Sequence, residues 1–152
     1  MAKKNKHELV IIGGGPGGYR AAFMASDLGL DVTLIDPEAN PGGVCLYRGC
    51  IPTKALLYLA KLTVDTASAS DMGLTFKPPQ IDLEKIRNWK NSVVKKLTGG
   101  LGQLVKARKI NYIRATAAFK DSTTLRLTGE HDFSDTLVFQ NAIIATGAKA
   151  LT

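Results

Sequence analysis

A run of glycines, Gly13-Gly14-Gly15-Pro16-Gly17-Gly18, follows directly on the short apolar segment Glu8 to Ile12, and it limits the fold more than any other feature of the chain. A strand ending in such a run must turn sharply, and Pro16 suits the first turn of a helix that comes next. Gly29 stops that helix, and Asp31 to Ile35 reads as a second strand. Strand, glycine turn, helix and strand make a βαβ unit, which implies parallel strands and a right-handed crossover.

The run fits G-x-G-x-x-G, and each glycine has a mechanical reason. Gly13 permits the tight turn, Gly15 lets a pyrophosphate approach the backbone without meeting a Cβ, and Gly18 lets helix and strand pack closely. The helix N-terminus, with Pro16 and Gly17 in its first turn, offers unsatisfied N–H groups and partial positive charge to phosphates. A glycine-rich turn can be only a turn. Here Asp36 ends the next strand, eighteen residues after Gly18, where a carboxylate can accept hydrogen bonds from an adenosine ribose and repel a 2′-phosphate. A dinucleotide site is the favoured reading.

With 152 residues and 45% hydrophobic content, the chain can bury one core, and one domain is the default. The apolar run Leu9 to Ile12 is too short for a signal-peptide core or a membrane span, so a soluble, cytoplasmic protein is expected. The net charge of +7 is concentrated in residues 81–114, which hold nine basic side chains against Asp82 and Glu84. Leu83, Ile86, Val93, Leu97, Leu101, Leu104 and Val105 recur there in steps mostly of three and four, marking an amphipathic helix with a basic outer face. A solvated face or docking to an acidic protein explains such charge; no motif points to nucleic acid.

Between these landmarks, Pro37 to Gly49 reads as a loop. A second helix has Pro52 in its first turn and runs to about Asp65, and residues 66–80 form a surface connection. Gly99 and Gly100 are expected to bend the basic helix, each costing about 1 kcal/mol against alanine. Ile110 to Ile113 and Thr116 to Phe119 read as strands. Thr124 to Thr128 and Thr136 to Phe139 form a hairpin around Gly129 to Asp132, and Ala142 to Ala145 is a separate buried strand ending at Thr146-Gly147. The fold class is α/β: a Rossmann-like parallel sheet flanked by helices, with an antiparallel β-meander.

Cys45 and Cys50 flank Leu46-Tyr47-Arg48-Gly49 and are the only cysteines. Zinc would want four ligands, and only the distant His7 and His131 could add to the pair, so no metal is expected. An inert pair is the bland alternative. Against it, Cys50 opens a helix whose dipole favours a thiolate, and Arg48 and Lys54 add positive potential. These are conditions for a redox-active disulfide.

The stretch from Gly42 to Leu57, including Gly43, Val44, Cys45, Cys50, Pro52 and Lys54, resembles the active-site signature of the pyridine nucleotide-disulfide oxidoreductases. Its Ile-Pro-Thr-Lys-Ala-Leu ending is more similar to the dihydrolipoamide dehydrogenase branch than to the glutathione reductase branch. The glycine turn, Asp36 and Ala145-Thr146-Gly147 fall in the family's order, so the resemblance covers essentially the whole chain.

The resemblance implies that residues 1–152 are the first segment of an FAD-binding domain. Gly13, Gly15, Pro16, Gly17, Gly18 and Asp36 would hold the ADP half of FAD, and Gly43, Val44, Ala145, Thr146 and Gly147 would close around the cofactor. Cys50 would be the thiol beside the isoalloxazine, Cys45 the more exposed interchange thiol, and Lys54 a neighbour of flavin N5. The implied activity moves electrons between dihydrolipoamide, or another small dithiol or disulfide, and NAD. The implied parent is a homodimer docked to a 2-oxoacid dehydrogenase complex. Other disulfide reductases, mercuric reductase, and a non-catalytic nucleotide-binding or docking module are the alternatives.

Three departures stand out: Asp36 replaces the usual Glu, Tyr47 and Arg48 replace Asn and a small apolar residue, and Ala115 stands where glycine is common. The family's nicotinamide and interface domains, with their catalytic His-Glu pair, have no counterpart in this sequence. Neither His7, read as part of an N-terminal tail, nor His131 resembles that histidine. The chain is therefore expected to be a fragment that holds FAD weakly and does not turn over alone.

Overall fold

A computed structural model of the chain describes residues 6–129 and 135–148. The chain divides into two compact units, residues 1–43 with 98–152, and residues 44–97.

The first unit is built on six strands, β1 (Lys6–Ile12), β2 (Val32–Ile35), β3 (Asn111–Ile113), β4 (Thr116–Phe119), β5 (Thr124–Thr128) and β6 (Thr136–Ile144). They form one sheet in the order β3-β2-β1-β6-β5-β4. β1 runs parallel to β2 and β6, and β2 parallel to β3, while β5 is antiparallel to β4 and β6. The α/β class and the parallel sheet joined to a meander are thus both present.

β6 corrects the sequence reading, which split it into two strands. The polar pair Gln140-Asn141 breaks the hydrophobic pattern, but both side chains are exposed and the backbone ladder passes through them. Asn141 pairs with Leu9 in the parallel ladder, and Val138 pairs with both Lys6 and Thr124. One strand therefore joins the parallel sheet to the meander. The hairpin turn expected at 129–132 lies, beyond Gly129, outside the described residues.

The residues Leu9, Val10, Ile11 and Ile12 are all buried, without the alternation of a half-exposed strand, because both faces of β1 are covered. Leu9 and Ile11 pack with Ala22, Phe23 and Ala25 of helix α1 (Pro16–Asp27), and with Val32, Leu34, Val105 and Ile110. Val10 and Ile12 pack with Ile35, Ala115, Leu125, Leu127, Leu137 and Phe139. Burying each large aliphatic side chain in these clusters contributes about 1.5–3 kcal/mol. Ala115 is a packing residue of the second cluster, a role the sequence did not suggest.

The second unit is helical. Helix α2 (Gly43–Tyr47) occupies part of what was read as a loop, and helix α3 (Cys50–Ser68) starts two residues before Pro52 and outlasts Asp65. A 3₁₀ turn, Ala69–Met72, follows. Only Ala55 of α3 is buried; Leu56, Leu57, Tyr58, Leu62 and Val64 are exposed. The Tyr58 and Trp89 rings lie 6.2 Å apart.

Helix α4 (Leu83–Ala107) begins in this unit behind Asp82, whose Oδ1 accepts the Lys85 N–H at 3.0 Å. It continues as helix through Gly99 and Gly100. Buried Thr98, Gly102 and Val105 anchor the helix beyond those glycines, and tertiary packing outweighs their poor propensity. Lys85, Lys95, Lys96 and Lys106 are exposed along it. Among the described residues, no helix is long and apolar enough to cross a membrane.

Candidate functional site

The glycine turn lies where β1 ends between the carboxyl ends of β2 and β6. The Gly13 N–H donates to the Ile35 carbonyl and the Ala145 N–H to the Ile12 carbonyl, both at 2.8 Å. Gly13 has φ +102°, and a Cβ there would overlap the carbonyl oxygen of Ala145. A Cβ on Gly18 would overlap the carbonyl oxygen of Gly13. Both positions are glycine because the fold leaves no room for a side chain.

Gly15 and Gly17 are different. A Cβ on Gly17 would meet nothing within 4 Å, and one on Gly15 only the Cα of Gly43 at 3.9 Å. Sterics of the chain give no reason for a missing side chain at either position, and both border open space at the start of α1. Gly15 is the N-cap and carries no side chain to cap the helix, and Pro16 has no N–H to offer. The first-turn N–H groups of α1, Gly17 and Gly18 among them, have no intrahelical acceptor, and the helix start beside Gly15 and Gly17 is open. Such a cradle fits a phosphate.

Asp36 follows β2 and is buried. Its Oδ2 accepts the Gly14 N–H at 2.6 Å and its Oδ1 the Glu38 N–H at 2.9 Å. The carboxylate assigned to a ribose also ties the glycine turn to the chain that follows β2. Each oxygen keeps a second lone pair for a ligand. The sequence reading missed this second task, although Asp before Pro-Glu is a recognisable Asx-turn signal.

Residues 37–43 pack back on the turn. The Gly42 N–H donates to the Gly14 carbonyl at 2.8 Å. Gly43 has φ +57°, and a Cβ there would lie 2.5 Å from the Cα of Gly15. The Tyr112 hydroxyl donates to the Glu38 carbonyl at 2.9 Å, and Arg114 Nε to the Pro37 carbonyl at 3.1 Å. At the other side of the turn, Ala145 is half-buried against the core, while Thr146 and Gly147 are exposed, with Gly147 at φ +78°.

In the second unit Cys45 lies on α2 and Cys50 is the first residue of α3. Both are thiols, near enough to each other to interact. The Thr53 N–H donates to the Gly49 carbonyl at 3.1 Å, closing the first turn of α3. The Cys45 thiol is held above its ordinary pKa, first by its interaction with Cys50 and then by desolvation, with Lys54 pulling the other way. Lys54 is exposed one turn into α3, and Val44 is exposed on α2. The Arg48 guanidinium lies 6.0 Å from the Tyr47 ring centroid. In the chain as it stands, Cys50 is the exposed thiol and Cys45 the half-buried one.

His7 is not in a loose tail. It belongs to β1, and its Nδ1 is 2.8 Å from Thr33 Oγ1, beside a polar cavity of about 200 Å³ lined also by Lys6, Asp31 and Asn111. His131 lies outside the described residues. The structure thus brings Gly13 to Gly18, Asp36, Gly43 and Ala145 together in one unit, and Cys45, Cys50 and Lys54 together in the other.

The family model for pyridine nucleotide-disulphide oxidoreductases matches residues 7–152. Among curated proteins, the dihydrolipoyl dehydrogenase of Buchnera aphidicola subsp. Schizaphis graminum is 45% identical over 152 residues, covering 99% of this chain and 32% of that protein. Its counterpart from Buchnera aphidicola subsp. Acyrthosiphon pisum is 46% identical over 151 residues, again 99% and 32%. The dihydrolipoyl dehydrogenase of Haloferax volcanii is 44% identical over 146 residues, covering 95% of this chain and 30% of that protein. The chain spans about a third of the length of these relatives.

Proposed function

From the premise that the chain belongs to the pyridine nucleotide-disulphide oxidoreductase family, we propose that it is the dinucleotide-cradling and redox-thiol part of an FAD-dependent dihydrolipoyl dehydrogenase. Its substrate is a small dithiol or disulfide of the lipoamide kind. FAD, when bound, supplies a two-electron relay between the cysteine pair and a nicotinamide. The open space over Gly15 and Gly17 receives the pyrophosphate, and Asp36 receives the ribose through its remaining lone pairs. Thr146 and Gly147 are exposed and can line the same cofactor.

The observation that carries the proposal is the pair of interacting thiols, Cys45 on α2 and Cys50 at the opening of α3. Cys45, as thiolate, attacks a substrate disulfide and forms a mixed disulfide, releasing one substrate sulfur as thiolate. Cys50 then attacks the Cys45 sulfur, the second substrate thiol leaves, and the chain holds a Cys45–Cys50 disulfide. Two electrons pass to the substrate, and the reverse sequence oxidises a dithiol. The Cys50 sulfur is exposed, and the Lys54 ammonium favours negative charge on the Cys45 sulfur.

Mild oxidation of the purified chain, followed by peptide mapping, tests this directly. The expected product is an intramolecular Cys45–Cys50 link that dihydrolipoamide reduces and that FAD addition leaves intact. Two thiols that oxidise only between molecules, or a link that dihydrolipoamide cannot reduce, would overturn the proposal.

A further inference from the structure

Helix α4 carries a gap at Gly102 that the segment between β2 and α2 fills. Gly102 is buried, and a Cβ there would overlap the side-chain oxygen of Asn40, with Asn40 Cγ at 2.9 Å. Any residue other than glycine at 102 evicts the Asn40 amide. Beside Asn40, Pro41 is fully buried and Gly42 donates its N–H to Gly14. Gly43 then sits against Gly15, the glycine that borders the open cradle. The Asn40 side chain is thus seated in the helix two residues before the backbone reaches the glycine turn.

We propose that Asn40 is a positioning residue for the cofactor cradle: its seat at Gly102 holds Gly42 and Gly43 against Gly14 and Gly15. The cofactor half of this inference rests on the FAD reading above; the seating itself does not. Alanine is a better helix former than glycine, so if nothing needed the space at 102, Gly102→Ala would raise thermal stability and leave local backbone protection alone. Seating predicts a split, with the Gly42 and Gly14 amides losing protection while the strand cores keep theirs.

Amide hydrogen exchange by NMR on the whole chain, for wild type, Asn40→Ala, Gly102→Ala and the double variant, tests the seating. The expected result is exchange at Gly42 and Gly14 at least about tenfold faster in each single variant, with Ile11 and Leu34 unchanged. The double variant should be no faster than Asn40→Ala alone, because both changes destroy one contact. Additive effects, or unaltered Gly42 exchange in Gly102→Ala, would overturn it. FAD titration followed by flavin fluorescence tests the cofactor half, with weaker binding expected in both single variants. Binding unchanged beside faster exchange would refute that half. Absence of binding by the wild-type chain would count against the FAD reading, and exchange would still decide the seating.

Discussion

The Gly14 N–H donates to Oδ2 of Asp36 across twenty-two residues at 2.6 Å, and the same carboxylate's Oδ1 accepts from Glu38. Asp36→Ala removes an ionised acceptor from two backbone donors at once. The expected cost is about 2–4 kcal/mol, read from urea unfolding. Asp36→Asn keeps one acceptor oxygen and turns an NH₂ toward the other donor, so it should fall between alanine and wild type. A loss well under about 1 kcal/mol for alanine would show that the carboxylate is not a fastener of the turn.

The glycine turn separates fold from ligand at two positions a single residue apart. Gly18→Ala drives a methyl into the Gly13 carbonyl, a backbone atom that cannot swing aside, and should destabilise by about 4 kcal/mol or more. Gly17→Ala meets nothing within 4 Å and should leave the melting temperature unchanged or raise it. Its methyl would occupy space given to phosphate, so FAD or ADP titration should show weaker binding. Equal tolerance of both substitutions would refute the packing described for the turn.

Alkylation of the reduced chain near neutral pH should modify Cys50 before Cys45. Cys50 is exposed, whereas Cys45 is half-buried and its pKa is raised, first by its interaction with Cys50 and then by desolvation. Cys50→Ala removes the main cause of the raised Cys45 pKa, so the midpoint of Cys45 labelling should move to lower pH. Mass-spectrometric rates with iodoacetamide across pH decide the matter, and Cys45 reacting first would be the contrary result.

Lys54 opposes that rise through its charge. Lys54→Met should therefore shift the Cys45 midpoint further upward and slow its labelling at a fixed pH below the midpoint. The shift should shrink with added salt, because Lys54 is exposed and its field is screened. A pH profile identical to wild type would remove Lys54 from the electrostatics of the pair.

Leu125 is fully buried on β5, in the cluster that joins the meander to β1. Leu125→Ala should cost about 2–5 kcal/mol. Chemical denaturation is the measurement, and a cost below about 1 kcal/mol would mean that the meander does not share the core.

Much of this arrangement was legible in the residues. β4 and β5 have the bounds their alternation suggested, and α1 starts at Pro16. The glycine turn, Asp36 and the thiol pair were found because local chemistry constrains those side chains. What escaped depended on distant partners. The Gln140-Asn141 pair resembled a break because the ladder that carries β6 through it comes from β1, far away in sequence. Gly99 and Gly100 weaken the local helix propensity, yet anchors at Thr98, Gly102 and Val105 accompany an α4 that runs helical through them. The seat of Asn40 at Gly102 has no local signature, since neither residue constrains the other until the fold brings them together.

The continuity of β6 has a consequence for how the chain acquires its structure. Lys6 pairs with Val138 and Ile12 with Ile144, so the ladder beside β1 closes a loop of about 130 residues. Contacts of such sequence separation are slow to form, because chain entropy is lost before the ladder rewards it. During synthesis, β1 emerges early and keeps one edge unpaired until residues 136–144 have been made. That edge belongs to the apolar run Leu9 to Ile12, a template for association with other chains. The aggregation hazard of this protein is therefore a matter of timing, ending when residues 136–144 arrive.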